Sequence, residues 1–323
     1  VRLLEKKLSK YVNRKHAIAV SSGTAALDIA FSALKLKKGD EVILPSFTII
    51  SCLNQIIRSG AKPIFIDSET ETWNMDISQI EKKITKKTKI ILVVHIYGLA
   101  TNMFKILKIA KKFDLKVIED SSEAIGLKIR NRQCGSFGDI STFSFYTNKQ
   151  ITTGEGGMVL TNSSTIAEKC NKLRNLYFEK KKRFYHKELG WNYRMSNLNA
   201  AVGVAQFENI KKIINLKRKI GNLYYRNLKN EKNIKIQPLK TKYCKNIFWV
   251  FGILLKKNSK FNIEKVRNFL FKKGIQTRPF FWPLHKQPLL GKYLKENYLL
   301  PNSEFLSKNG FYLPSGLSLK KYQ

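Results

Sequence analysis

Short apolar runs alternate with helix-length amphipathic segments through the first half of this chain, and that rhythm constrains the fold more than any single residue does. Residues 17–20, 41–44, 63–66, 89–95 and 116–119 read as strands. Residues 24–36, the stretch after Pro45 to about Arg58, and residues 103–113 read as helices. Such alternation predicts an α/β fold with a mostly parallel sheet covered by helices, whose ligands gather at the carboxyl ends of the strands. Ser21, Ser22, Gly23, Thr24, Pro45, Ser46, His95 and Asp120 all fall at such ends. After Asn197 the rhythm changes. A long, interrupted helix runs from about Leu198 to Leu228, followed by strand-like runs at 234–238 and 247–255, a helix near 263–273, and residues 276–281. This predicts a smaller α+β domain, so the expected division is a large domain at 1–208 and a small C-terminal domain at 209–323.

With 323 residues and 43% hydrophobic content, the chain can bury a sizeable core. The formal net charge of +37 raises the question of a polyanionic partner. The excess is mostly lysine and is spread along the chain, as at Lys35, Lys37, Lys38, Lys82, Lys83, Lys86, Lys87, Lys111 and Lys112. No Arg-rich or aromatic-interleaved nucleic-acid motif accompanies it, which favours a compositional bias carried on solvated helix faces. Cys52, Cys134, Cys170 and Cys244 are far apart, with no zinc-like spacing, so no metal is expected and a reduced, cytoplasmic compartment fits. The longest apolar runs, 90–94 and 247–255, are strand-sized. No signal peptide is visible, and the chain opens inside an amphipathic helix, so both ends read as truncated.

The segment 139–161 carries the clearest chemical signal. Residues 139–145 read as a strand, 153–157 as a glycine-rich turn, and 158–161 as a returning strand. Lys149 lies between them. A lysine near a strand end, flanked by hydroxyls and partly desolvated, loses its proton readily and can attack a carbonyl to form a Schiff base; the competing reading is a solvated loop lysine. Ser21-Ser22-Gly23-Thr24 follows a strand and opens a helix, which suits a phosphate held by first-turn N–H groups, although many βα turns look alike. Asp120 ends a strand, where a carboxylate can pair with a protonated ring nitrogen or simply cap a helix. A phosphate cradle, a strand-end Asp and a downstream Lys together match what pyridoxal phosphate needs.

On these residues, and on 39–46, 95–98, 118–120, 143–158, 190–195 and 278–285, the chain resembles the DegT/DnrJ/EryC1/StrS family of sugar aminotransferases over essentially its whole length. The resemblance implies a type I aminotransferase fold, a homodimer with shared active sites, and pyridoxal 5'-phosphate as cofactor. It makes Lys149 the catalytic Schiff-base lysine, since relatives with His there act as dehydratases. Asp120 would meet the pyridine nitrogen, and Glu123 would lie near the ring hydroxyl. Gly23, Thr24 and Ser144 would hold the phosphate, and Asn192 would reach the phosphate of the neighbouring subunit. Ile49 stands where relatives usually place an aromatic residue over the ring.

His95, Tyr97, Arg278 and His285 are the expected substrate-side residues. His95 can equally be a packed strand-end histidine, His285 a turn histidine, and Arg278 a solvated strand residue. Residues 278–285 with 191–195 are most similar to family members that aminate carbon 4 of GDP-4-keto-6-deoxymannose, with glutamate as donor, for surface polysaccharide. The alternatives are a 3- or 4-aminotransferase of a dTDP- or UDP-keto-sugar and, in another class, a non-catalytic basic binding protein on the same fold.

Overall fold

The computed structural model describes residues 1–179, 182, 184–294 and 298–320. The helices are α1 (Arg2–Val12), α2 (Gly23–Ala33), α3 (Ser51–Arg58), α4 (Ile80–Lys83), α5 (Met103–Lys112), α6 (Ser164–Leu173), α7 (Asn197–Glu208), α8 (Ile210–Leu228), α9 (Ile263–Lys272) and α10 (Pro301–Asn309). The large sheet contains β1 (His16–Val20), β2 (Glu41–Pro45), β3 (Lys62–Ile66), β4 (Thr88–Val94), β5 (Lys116–Asp120), β8 (Ile140–Ser144) and β9 (Gly157–Thr161). A two-residue pair, β6 (Lys128–Ile129) and β7 (Arg132–Gln133), stands apart. The smaller sheet is made of β10 (Ile234–Lys235), β11 (Phe251–Leu255), β12 (Arg278–Pro279) and β13 (Gly310–Leu313).

The seven strands lie in the order β1-β9-β8-β5-β4-β2-β3. Pairings from β8 through β5, β4 and β2 to β3 are parallel, and only β9 runs against its neighbours. Helices cover both faces, which is why Val42, Ile43, Leu44, Ile91, Leu92 and Val93 are fully buried as unbroken apolar runs. The reversal at β9 follows from its connection. Residues 145–156 turn the chain straight back from β8, and Lys149 sits in that turn, at the carboxyl edge of the sheet.

The four-stranded sheet, β10-β11-β13-β12, is antiparallel and packs a second core around Phe248, Phe251, Ile253 and Phe311. The apolar run at 247–255 is not one strand as the sequence suggests. Its first residues leave the strand path, with Phe248 at φ 50° and the Ile247 N–H donating to the Gly98 carbonyl at 3.0 Å; only Phe251–Leu255 joins the sheet. That detour lays the Trp249 ring against the ring of Tyr97, at the carboxyl edge of the large sheet. Among the described residues no helix is long and apolar enough to cross a membrane.

Candidate active site

The turn between β1 and α2 builds an anion cradle. Ser22 caps α2, its hydroxyl accepting from the Ala25 N–H at 3.0 Å and its carbonyl from the Ala26 N–H at 3.1 Å. The N–H groups of Gly23 and Thr24 are left at the open end of an 11-residue helix, where the aligned peptide dipoles favour negative charge. Ser144, the last residue of β8, closes the cradle from the other side. A Cβ on Gly23 would stand 2.7 Å from Ser144 Cβ, so the approach requires glycine. Thr24 Oγ1 lies 2.8 Å from Ser51 Oγ and continues the row of hydroxyls.

On the strand next to β8, Asp120 ends β5 with both carboxylate oxygens held. Its Oδ1 accepts from the Ser122 N–H at 3.0 Å and from Thr142 Oγ1 at 3.3 Å, while Oδ2 accepts from the Cys52 thiol at 3.6 Å. Burial and the nearby Asp120 charge push that thiol well above its ordinary range, so Cys52 stays protonated and serves as a donor. Glu123 lies one turn on, with Oε2 accepting from the Tyr97 N–H at 2.8 Å and Oε1 3.9 Å from Lys149 Nζ. Burial drives the Glu123 carboxyl up and the Lys149 amine down, and each group's charge opposes the other's shift. Lys149 is therefore a largely enclosed amine whose proton is easier to remove than that of a surface lysine.

The sequence brought no attention to three residues that complete this group. Cys52 and Thr142 orient Asp120, and Trp249 lays its ring 3.8 Å below Lys149 Nζ while its Nε1–H donates to the Asn148 carbonyl at 2.9 Å. Thr142 could have been found by strand alternation, since it shares a register position with Asp120 on adjacent strands. Cys52 and Trp249 arrive from remote segments and leave no local signal.

The substrate-side expectations fare differently. His95 is packed at the end of β4, beside Asp120. Its ring is fully buried, with Nε2 3.1 Å from Glu119 Oε1 and Nδ1 accepting from the Thr101 N–H at 3.2 Å. Ligand atoms of His95, Glu119 and Cys134 fall within 4.8 Å of one another, as a metal site would require. The Glu119 oxygens, however, already accept from the N–H groups of Gly135, Phe137 and Gly138 and from the Ser141 hydroxyl, so the group is a satisfied structural network.

His285 is likewise engaged, Nδ1 standing 2.6 Å from Ser46 Oγ and Nε2 3.1 Å from Glu304 Oε1. Tyr97 is fully buried among Phe47, Trp73, Trp249, Phe280 and Phe281, and its hydroxyl accepts from the Phe281 N–H at 3.3 Å; it serves the site through its backbone. Arg278 is exposed on β12 opposite Tyr312, whose ring is 6.1 Å from that of Tyr97, so it borders the site with a free surface. Ile49 is 43% exposed in the turn before α3. Asn192 is exposed, its carboxamide oxygen accepting from Arg194 Nε at 2.9 Å.

Residues 1–323 match the DegT/DnrJ/EryC1/StrS aminotransferase family. The chain belongs to this family. It is 42% identical to a GDP-perosamine synthase of Escherichia coli O157:H7 over 100% of this chain and 86% of that protein. A GDP-perosamine synthase of Vibrio cholerae is 40% identical over 96% of this chain and 84% of its own length. Among solved structures, the Escherichia coli GDP-4-keto-6-deoxy-D-mannose-3-dehydratase with bound hydrated pyridoxal phosphate superposes with a TM-score of 0.91 at 26% identity, covering 98% of this chain and 87% of that one. Family membership agrees with the α/β architecture and makes the chain a pyridoxal-phosphate aminotransferase.

The residues present fit a phosphorylated aromatic aldehyde. A side chain at Gly23 would collide with Ser144, so glycine there lets the first turn of α2 and the Ser144 hydroxyl come together as donors for an anion. Asp120 is held by three donors and stands ready to fix a ring proton, and an enclosed amine lies beside Glu123.

Proposed function

We propose that this chain is a pyridoxal-phosphate aminotransferase that converts GDP-4-keto-6-deoxymannose to GDP-perosamine, with glutamate as amino donor, on a route to surface polysaccharide. The observation that carries this reading is the 42% and 40% identity to two GDP-perosamine synthases over 100% and 96% of the chain, together with the enclosed Lys149 amine 3.9 Å from Glu123.

When bound, the cofactor supplies an electron-accepting ring that lets a proton leave the carbon bearing nitrogen. The protein supplies everything around it. The Gly23 and Thr24 N–H groups and the Ser144 hydroxyl hold the phosphate at the α2 dipole. Asp120, held by Ser122, Thr142 and Cys52, keeps a proton on the ring nitrogen. Glu123 would lie near the ring hydroxyl, and Ile49 would cover the ring with aliphatic surface, burying less area than an aromatic residue. Lys149 Nζ would anchor the group and is the amine placed to hold or move a proton beside it as base or acid. Arg278 meets a phosphate of the nucleotide from the rim. Asn192 completes the site of a second copy, so the working form is a homodimer in the cytoplasm.

The competing view of a non-catalytic basic binder is not favoured, because it gives no role to the enclosed lysine, the buried acids and the cradle, which converge at one sheet edge. The test is direct: purified chain, pyridoxal phosphate, glutamate and GDP-4-keto-6-deoxymannose should yield 2-oxoglutarate and a GDP-4-amino sugar. Turnover only with a dTDP- or UDP-keto-sugar would move the substrate assignment within the family, and turnover by Lys149→Ala would remove the lysine from its role.

A further inference from the structure

Trp249 reaches the site from 101 residues beyond Asn148 and makes two contacts there, on consecutive residues. Its Nε1–H donates to the Asn148 carbonyl at 2.9 Å, and its ring lies 3.8 Å from Lys149 Nζ. One side chain thus fixes the main chain just before the lysine and the charge at the lysine's tip.

Trp249 is itself held from several directions. A Cβ on Gly98 would come within 2.6 Å of the Trp249 nitrogen, so the two backbones touch. Its ring lies 6.2 Å from that of Tyr97, and its carbonyl accepts from Ser315 Oγ at 3.4 Å. Tyr97 in turn gives its N–H to Glu123 at 2.8 Å. Trp249, Tyr97, Glu123 and Lys149 therefore form a closed ring of contacts.

We propose that Trp249 is a positioning residue for Lys149: its π face holds Nζ as an ammonium beside Glu123, and its N–H locks the Asn148 turn that aims it. The inference rests on Lys149 being the reactive amine. The ring quadrupole favours the charged form, more strongly where water is excluded. Burial opposes it, and Glu123, Asp120 and Cys52 are the other titratable groups facing Nζ. Trp249 is thus an uncharged partner that keeps the amine protonated and in place without adding a second anion to the site.

The test uses the whole chain freed of cofactor. Pyridoxal phosphate is added across a pH series, the rate of covalent attachment is followed, and the adduct is trapped with borohydride and mapped. Trp249→Leu should lower the pH midpoint for attachment at Lys149 by about one unit, about tenfold more free amine at neutral pH, while Trp249→Phe, which keeps a π face, should stay between that variant and the parent. A midpoint that is unchanged or raised in Trp249→Leu overturns the proposal.

Should that variant not fold, emission decides. The parent spectrum minus that of Trp249→Phe isolates Trp249 from the other three tryptophans, and Lys149→Met should change this difference. A difference spectrum indifferent to Lys149→Met overturns the contact. No attachment at Lys149 in the parent would sink the reading of the lysine itself, and the emission comparison would still judge Trp249 separately.

Discussion

The backbone N–H of Tyr97 donates to Glu123 Oε2 at 2.8 Å, and it can do so because Tyr97 sits at φ 58°, in the left-handed region that a bulky residue rarely enters. Strain at the end of β4 thereby aims a donor at the acid that faces Lys149. The cost is borne by the aromatic cluster that encloses the Tyr97 ring.

Glu123 raises the proton affinity of Lys149, and its removal has a definite sign. In Glu123→Gln the ammonium loses its nearest anion, so the free amine is populated at lower pH. The midpoint for attachment of pyridoxal phosphate to Lys149 should fall by about one to two units. A midpoint that rises would show that Glu123 acts on the amine mainly by excluding water.

Gly23→Ala should separate cofactor affinity from folding. The added methyl would stand 2.7 Å from Ser144 Cβ and force the cradle open. Spectral titration should show pyridoxal phosphate binding weakened by about 10- to 100-fold, equivalent to about 1.4–3 kcal/mol, with the melting temperature moved far less. Unchanged affinity would place the phosphate elsewhere.

His285 acts as a latch between the turn after β2 and helix α10. Facing the Glu304 carboxylate, Nε2 carries the ring proton, so Nδ1 accepts from the Ser46 hydroxyl, and that same oxygen accepts from the His285 N–H at 3.4 Å. Ser46→Ala strands the buried ring nitrogen and should cost about 1–3 kcal/mol in chemical denaturation. Burial sets the His285 imidazole below its ordinary 6.5, with Lys286 assisting and Glu304 and Asp67 resisting. A depressed folded value means that the contribution is full above pH 6.5 and is lost as pH falls through the lowered value. The melting temperature should drop more between pH 7 and pH 5.5 in the parent than in His285→Gln; equal drops would contradict the latch.

Lys217 is buried with no carboxylate beside it among the described residues, and Nζ donates to the Ser315 carbonyl at 2.7 Å and its hydroxyl at 3.2 Å. Burial lowers its pKa from 10.5 to about 8, so at neutral pH folding must bury an ammonium. A shift of this size costs about 3 kcal/mol, and the two hydrogen bonds return about 1–2. Lys217→Met should therefore stabilise the chain by about 1–2 kcal/mol at pH 7, and the gain should shrink toward pH 9.5 as the parent's native amine becomes neutral. Destabilisation at pH 7 would mean that anchoring the Ser315 segment outweighs the buried charge.

The alternation of strands and helices was plain in the residues because parallel strands buried on both faces read as unbroken apolar runs. The Lys149 turn was plain too, since a hairpin between two apolar strands needs glycine and polar residues of the kind found at 153–157. The residues alone are silent where distant partners decide. His95 and His285 look alike as strand-end or turn histidines, and only Glu119 and Thr101, or Ser46 and Glu304, reveal that both are fully bonded. The run at 247–255 looked like one strand because its apolar residues serve two surfaces in turn, first the edge at Gly98 and then the small sheet. α6, α10 and β13 were not expected; α10 opens on a proline after Leu300, and β13 owes its pairing to β11, which is 55 or more residues earlier. β12 shrinks to two residues because Pro279 cannot donate to a ladder.

The central claim is that Lys149 is the amine that takes the cofactor, and one spectrum with one peptide map tests it. Purified chain with pyridoxal phosphate should show an absorbance band near about 410–430 nm, and borohydride should fix the group covalently on the peptide carrying Lys149. Lys149→Ala should give neither. No band in the parent, or a label fixed on another lysine while Lys149 stays free, would contradict the account.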